Sequence, residues 1–92
     1  MHNIENVRWN PLKSKRLKKV RGVSFEEIIK AKLIVVRKHP SKSHQEMLIY
    51  EYKGYVWVVP YVIEEEGIFL KTIYPSRKFK KLYMRGANDE KG

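Results

Sequence analysis

The run Arg21-Gly22-Val23-Ser24-Phe25-Glu26-Glu27-Ile28-Ile29-Lys30-Ala31-Lys32-Leu33-Ile34-Val35-Val36 holds a helix stop, a helix start and a change of hydrophobic period. Gly22 reads as the residue that ends a helix in a left-handed conformation, with basic residues before it that complement the helix dipole. Ser24 and Glu27 have capping-box spacing: the hydroxyl covers the third backbone N–H and the carboxylate reaches back to the cap. Val23 and Ile28 flank that box where a hydrophobic staple forms. Phe25, Ile28 and Ile29 supply the buried face of a second helix that fades near Ala31 or Lys32. From Leu33 the residues are apolar and β-branched in succession, which reads as a strand.

Working outward from this junction, the chain divides into a basic helical front and a strand-rich back. Upstream, Asn10-Pro11 is a helix start, with proline where its missing N–H costs nothing. Leu12, Leu17 and Val20 form the expected apolar stripe of that first helix. Downstream, residues 39–43 read as a polar loop, 45–52 as a strand and Lys53-Gly54 as a tight turn. Residues 55–59 form the most apolar run and the expected central strand, ending near Pro60 or passing it at a bulge. Residues 64–67 make an acidic hairpin turn, and 68–74 a fourth strand. Pro75-Ser76 breaks it and caps a short helix from Arg77 to about Arg85, with Gly86 as its stop. The order predicts an α+β fold in one domain: two N-terminal helices on a four-stranded antiparallel sheet, then a short C-terminal helix. The folded core is expected over about 8–85 with a loose tail at 86–92. Helices on one face leave the other face of the sheet open to solvent or a ligand.

The chain has 92 residues, a formal net charge of +10 and no cysteine. That length excludes two domains, and the absence of cysteine excludes disulfides, a thiol nucleophile and a cysteine zinc site. The histidines are scattered, so no metal site or cofactor is expected. No P-loop, HExxH or GxSxG pattern occurs. The first ten residues carry no export signal, and residues 55–63, the longest near-apolar run, fall well short of the about 20 a spanning helix needs. A cytoplasmic location without membrane contact is expected.

The cations are blocked. Residues 8–21 contain seven and no acid, residues 30–42 five and none, and residues 77–85 five and none. This distribution points to a polyanion, with phosphate contacts that weaken as salt rises. Lys13, Arg16, Lys19, Arg21, Lys78 and Lys81 are candidate backbone contacts, and Tyr83 is placed to stack on a base. Trp9, Tyr55 and Trp57 fit the core. Cleaving RNA without a metal needs a base for the 2′-hydroxyl proton, an acid for the leaving oxygen and cations for the phosphorane charge. His39 and His44 can move protons near neutral pH, Arg77 and Lys71 can hold the phosphate, and Tyr74 can act as acid or orient the nucleophile. Charge and aromatics alone also fit a non-catalytic nucleic-acid-binding module.

Trp9-Asn10-Pro11-Leu12-Lys13 followed by Arg21-Gly22-Val23-Ser24-Phe25-Glu26-Glu27-Ile28 resembles the opening of BrnT-type toxins. Lys71-Thr72-Ile73-Tyr74-Pro75-Ser76-Arg77-Lys78, with Tyr83 beyond it, is similar to that family's closing strand and arginine segment. The resemblance spans residues 9–83 in the family's order. It implies a RelE-like fold and a metal-independent ribonuclease toxin of a type II toxin–antitoxin pair. A cognate antitoxin would neutralise it in a hetero-oligomer, and Arg77 falls on the family's C-terminal arginine. Arg21 stands where the family has a histidine, Leu17 where it has an asparagine and Asn10 where it has an aspartate.

Overall fold

A computed structural model describes residues 6–38 and 45–84. The elements are β1 (Val7–Arg8), α1 (Pro11–Arg21), α2 (Phe25–Ile28), β2 (Lys32–Lys38), β3 (Glu46–Tyr52), β4 (Tyr55–Glu64), β5 (Gly67–Leu70), β6 (Tyr74–Pro75) and α3 (Arg77–Met84). The expected loop at 39–43, the helix end at Arg85, the stop at Gly86 and the tail at 86–92 lie outside the described residues.

Local chemistry places the helices. The Asn10 side chain accepts the backbone N–H groups of Leu12 and Lys13, and Gly22 closes α1 at φ 80° with its N–H on the Lys18 carbonyl. The capping box of Ser24 and Glu27 is fully formed. Helix α2 is shorter than the sequence predicts: it stops at Ile28, and a turn carries the chain into β2. The apolar stripe of α1 is also narrower. Leu17 is buried, whereas Leu12 and Val20 are exposed and Ser14 takes the inner position. The Ser14 hydroxyl accepts the Phe25 N–H at 2.9 Å and donates to the Glu26 carboxylate at 2.6 Å, locking α1 to α2. That hydrogen bond, first among its causes, holds Glu26 below the usual carboxylate range.

The sheet corrects the expected four antiparallel strands: among the described residues it has six, in the order β1-β5-β4-β3-β2, with β6 also on β4. Strand β1, which nothing in the sequence marked, pairs parallel with β5. Gly67 lets the two chains meet, because a Cβ there would lie 1.9 Å from the Asn6 carbonyl oxygen. The predicted strand at 68–74 is two strands, separated at residues 71–73. Strand β4 continues through Pro60 to Glu64 without a register shift. The Pro60 carbonyl accepts the Lys71 N–H at 2.8 Å, so the proline nitrogen also points toward the break between β5 and β6, where no ladder donor is required. Lys53 and Gly54 both have positive φ, 51° and 74°, as the two-residue turn between β3 and β4 demands.

Both faces of the sheet are covered, contrary to the open face expected. On the first, Leu48, Tyr50, Val59, Tyr61, Leu70 and Ile73 bury Leu17, Val23, Phe25 and Ile28 of the α1–α2 pair. On the second, Met47, Ile49, Val56 and Val58 pack against Phe79, Tyr83 and Met84 of α3. The sequence placed all the helices together because α3 shows no sign of side. Its amphipathicity, with Phe79, Tyr83 and Met84 on one flank, meets the odd-numbered face of β3 only once the register is known.

Tyr61 is buried and its hydroxyl donates to Glu46 at 2.5 Å. Burial first, then that bond, pushes its pKa far above the usual tyrosine range, and burial raises Tyr50 as well. Above about pH 10 the unfolded chain gives up its tyrosine protons while the folded chain keeps these, so stability falls as pH rises. Tyr61→Phe is expected to flatten this alkaline limb in denaturation measured from pH 8 to 11, with Tyr50 and the Glu27-bonded Lys18, whose pKa is also raised, contributing to the remainder. At neutral pH the variant loses about 1 kcal/mol with the hydrogen bond. An unchanged alkaline slope would show that Tyr61 is not the group responsible.

Candidate nucleic-acid interface

Register brings cations from distant segments onto the second face. Arg37 pairs with Met47, Met47 pairs with Pro60, and Lys71 bonds to the Pro60 carbonyl, so the four backbones form one row across the strands. At about 4.8 Å per strand step, Arg37 and Lys71 lie about 14 Å apart at the backbone. Both are exposed and carry their charge over a ring. The Arg37 guanidinium is 5.1 Å from the Phe79 centroid, and the Lys71 ammonium is 5.8 Å from that of Phe69. Lys78 lies 5.9 Å from the Phe79 centroid, so that ring has two cations on it.

Helix α3 fixes the remaining groups. The Ser76 hydroxyl caps it by accepting the Phe79 N–H, while the Ser76 N–H bonds to the Val56 carbonyl and ties the cap to the central strand. Arg77, Lys78 and Lys81 then lie exposed on the outer side of α3. Tyr74 is half-buried opposite Val58, on the same face as the cation row.

The candidate residues therefore fall into two sets. Lys71, Tyr74, Arg77, Lys78, Lys81 and Tyr83 belong to the second face and α3. Lys13, Arg16 and Lys19 are exposed on α1, which packs on the first face. The sheet stands between the two sets, so the basic residues of α1 and those of the Arg77 segment face opposite sides. Arg21 is anchored structurally: its guanidinium donates to the Ile73 carbonyl and holds α1 to the link between β5 and β6. Tyr83 is likewise engaged, accepting from Arg37 at 2.8 Å and packing on Phe79. His39 and His44 lie outside the described residues. Arg37 and Phe69 were missed in the sequence. Arg37 sat within a noted cation block, but its face becomes legible only from the bulge at residues 33–35, which resets the alternation of β2.

Charge separates this face from a surface cavity beside β1 and the β4–β5 turn. That cavity, about 470 Å³, lies between Asn6, Val7, Arg8 and the acidic turn Glu64, Glu65, Glu66 and Gly67, a lining that repels phosphate. Among the described residues the ion pairs are Arg8–Glu64 and Lys18–Glu27, which leave the cations of the second face and α3 without a carboxylate partner. No group of three or more histidine, aspartate or glutamate side chains among the described residues is placed to hold a metal, and no helix among them is long and apolar enough to cross a membrane. Comparison with protein-family models, curated proteins and solved structures finds no match.

Proposed function

We propose that the chain is a RelE-like ribonuclease toxin, similar to the BrnT type, that cleaves RNA without a metal and is neutralised by a cognate antitoxin. The observation that carries this reading is the cation row of Arg37 and Lys71 beside Arg77 and Lys78 of α3, three of these cations resting on aromatic rings. The 2′-hydroxyl attacks the adjacent phosphorus in line, its proton passes to a base, and the 5′-oxygen leaves with a proton from an acid. The products are a 2′,3′-cyclic phosphate and a 5′-hydroxyl. His44 or His39 is the base, Tyr74 the acid or the group that orients the nucleophile, and Arg77 with Lys71 neutralises the phosphorane charge. The resemblance at residues 9–28 and 71–83 supports the same reading.

Induced expression in a bacterial host tests it. Growth arrest with decay of total RNA is expected, and Arg77→Ala is expected to lower cleavage by roughly 100-fold, as loss of one charge-stabilising donor does elsewhere. Cleavage at the wild-type level in that variant removes Arg77 from the site.

The stacked cations also favour a second reading, a nucleic-acid-binding module without turnover, since stacking and phosphate contact require no proton transfer. Cleavage in metal-free buffer that disappears with His44→Ala decides against the module. Normal growth and intact RNA decide for it.

A further inference from the structure

Strand β2 is the end of the sheet, and its outer side pairs with no strand among the described residues. The two-residue turn makes Tyr52 and Tyr55 a hydrogen-bonded pair, and alternation then turns Met47 and Ile49 toward β2. Their partners Arg37 and Val35 bond inward. The intervening Val36, together with Lys38, directs its N–H and C=O outward. On the first face Leu33 and Val36 remain 42% and 44% exposed. Leu33 borders an apolar groove of about 290 Å³ lined by Val7, Ile29, Ala31, Leu48 and Tyr50. Lys32 and Arg37 stand on the other face of the strand, with Lys30 and Lys38 near its ends.

From these placements we infer that the β2 edge is the docking site for an acidic extended segment of a partner protein, which adds to the sheet as a further strand. The pattern it selects is alternation. Apolar side chains on the first face cover Leu33 and Val36 and enter the groove, and carboxylates on the second face meet Lys32 and Arg37. Backbone pairing supplies affinity, and the alternating side chains supply specificity. A second copy is disfavoured as the occupant: it carries the same +10 charge, and pairing β2 with β2 sets cation against cation. The free backbone row and the apolar groove also suit a strand rather than a nucleic acid. The inference does not rest on RNA cleavage, and its test contains no RNA.

The probe is a capped seven-residue peptide alternating glutamate and valine, titrated into the full chain and followed by amide NMR. Saturable binding is expected, with protection from hydrogen exchange appearing at Val36 and Lys38. The double charge reversal of Lys32→Glu with Arg37→Glu is expected to weaken it at least tenfold, and a peptide N-methylated at alternate residues is expected not to bind. Because Arg37 also contacts Tyr83, the exposed single variant Leu33→Lys provides a second check by filling the groove edge with charge. Equal binding by a lysine–valine peptide, or protection confined to other strands, overturns the inference. So does a dimer of the free protein that Leu33→Lys dissociates, since that would assign the edge to a second copy.

Discussion

Phe25→Ala is expected to remove about 3–5 kcal/mol of folding stability, the cost of deleting a large side chain from a packed core. Phe25 is fully buried, and its ring lies 5.8 Å from Trp9 at a tilt of 32°. The aromatic pair adds about 1 kcal/mol beyond area burial. Position increases the effect. The Phe25 N–H is held by Ser14, so the ring joins α1, α2 and the first face of the sheet at the residue where α2 begins. A chain of this size has a total stability of about 5–14 kcal/mol. At a urea m-value of about 1 kcal/mol per molar, the midpoint should fall by about 3–5 M or the chain should not fold at all. Leu12→Ala is the control, since Leu12 is 75% exposed and its truncation should stay within about 0.5 kcal/mol. A loss below 1 kcal/mol at Phe25 would mean that the α1–α2 pair does not seal this face.

The same residues explain why the front of the fold is legible in the sequence. Asn10-Pro11, Gly22 and the Ser24–Glu27 box act within a few residues of themselves, so their geometry follows from local chemistry. The run 33–36 and the turn at Lys53-Gly54 are local in the same sense. What the sequence concealed is decided at long range. Val7 and Arg8 become a strand only because Gly67, about 60 residues later, lets the Asn6 backbone approach. Pro60 reads as a strand end or a bulge, yet its missing donor falls at the break between β5 and β6 and leaves β4 intact and in register.

The candidate site divides along the same line. Arg77, Lys78 and Lys71 were legible as charge near the C-terminal helix. That α1 and α3 lie on opposite faces was not, because a helix carries no mark of the face it will cover. Arg21 shows the converse case. As a cation in a basic block it counted as a phosphate contact, while its guanidinium holds the Ile73 carbonyl. Composition reports how many cations a chain has; register decides which of them share a partner.

That division yields the largest effect expected on binding. If a single strand is held by Arg37, Lys71, Arg77 and Lys78, log K should fall with log salt at a slope of about −2.8, since each neutralised phosphate contributes about −0.7. Affinity should then drop about 50-fold between 50 and 200 mM salt by the same relation. A 2′-O-methyl RNA, which has no attacking hydroxyl, separates binding from turnover. Lys71→Ala with Lys78→Ala should flatten the slope by about 1.4, because two phosphate contacts are lost. Both side chains are exposed, and their contacts are the stacked rings, so the fold is retained. Lys13→Ala with Lys19→Ala removes equal charge from α1 on the opposite side and should leave the slope unchanged. Equal flattening by the two pairs would mean that RNA wraps around both faces, and flattening by the α1 pair alone would move the interface off the second face altogether.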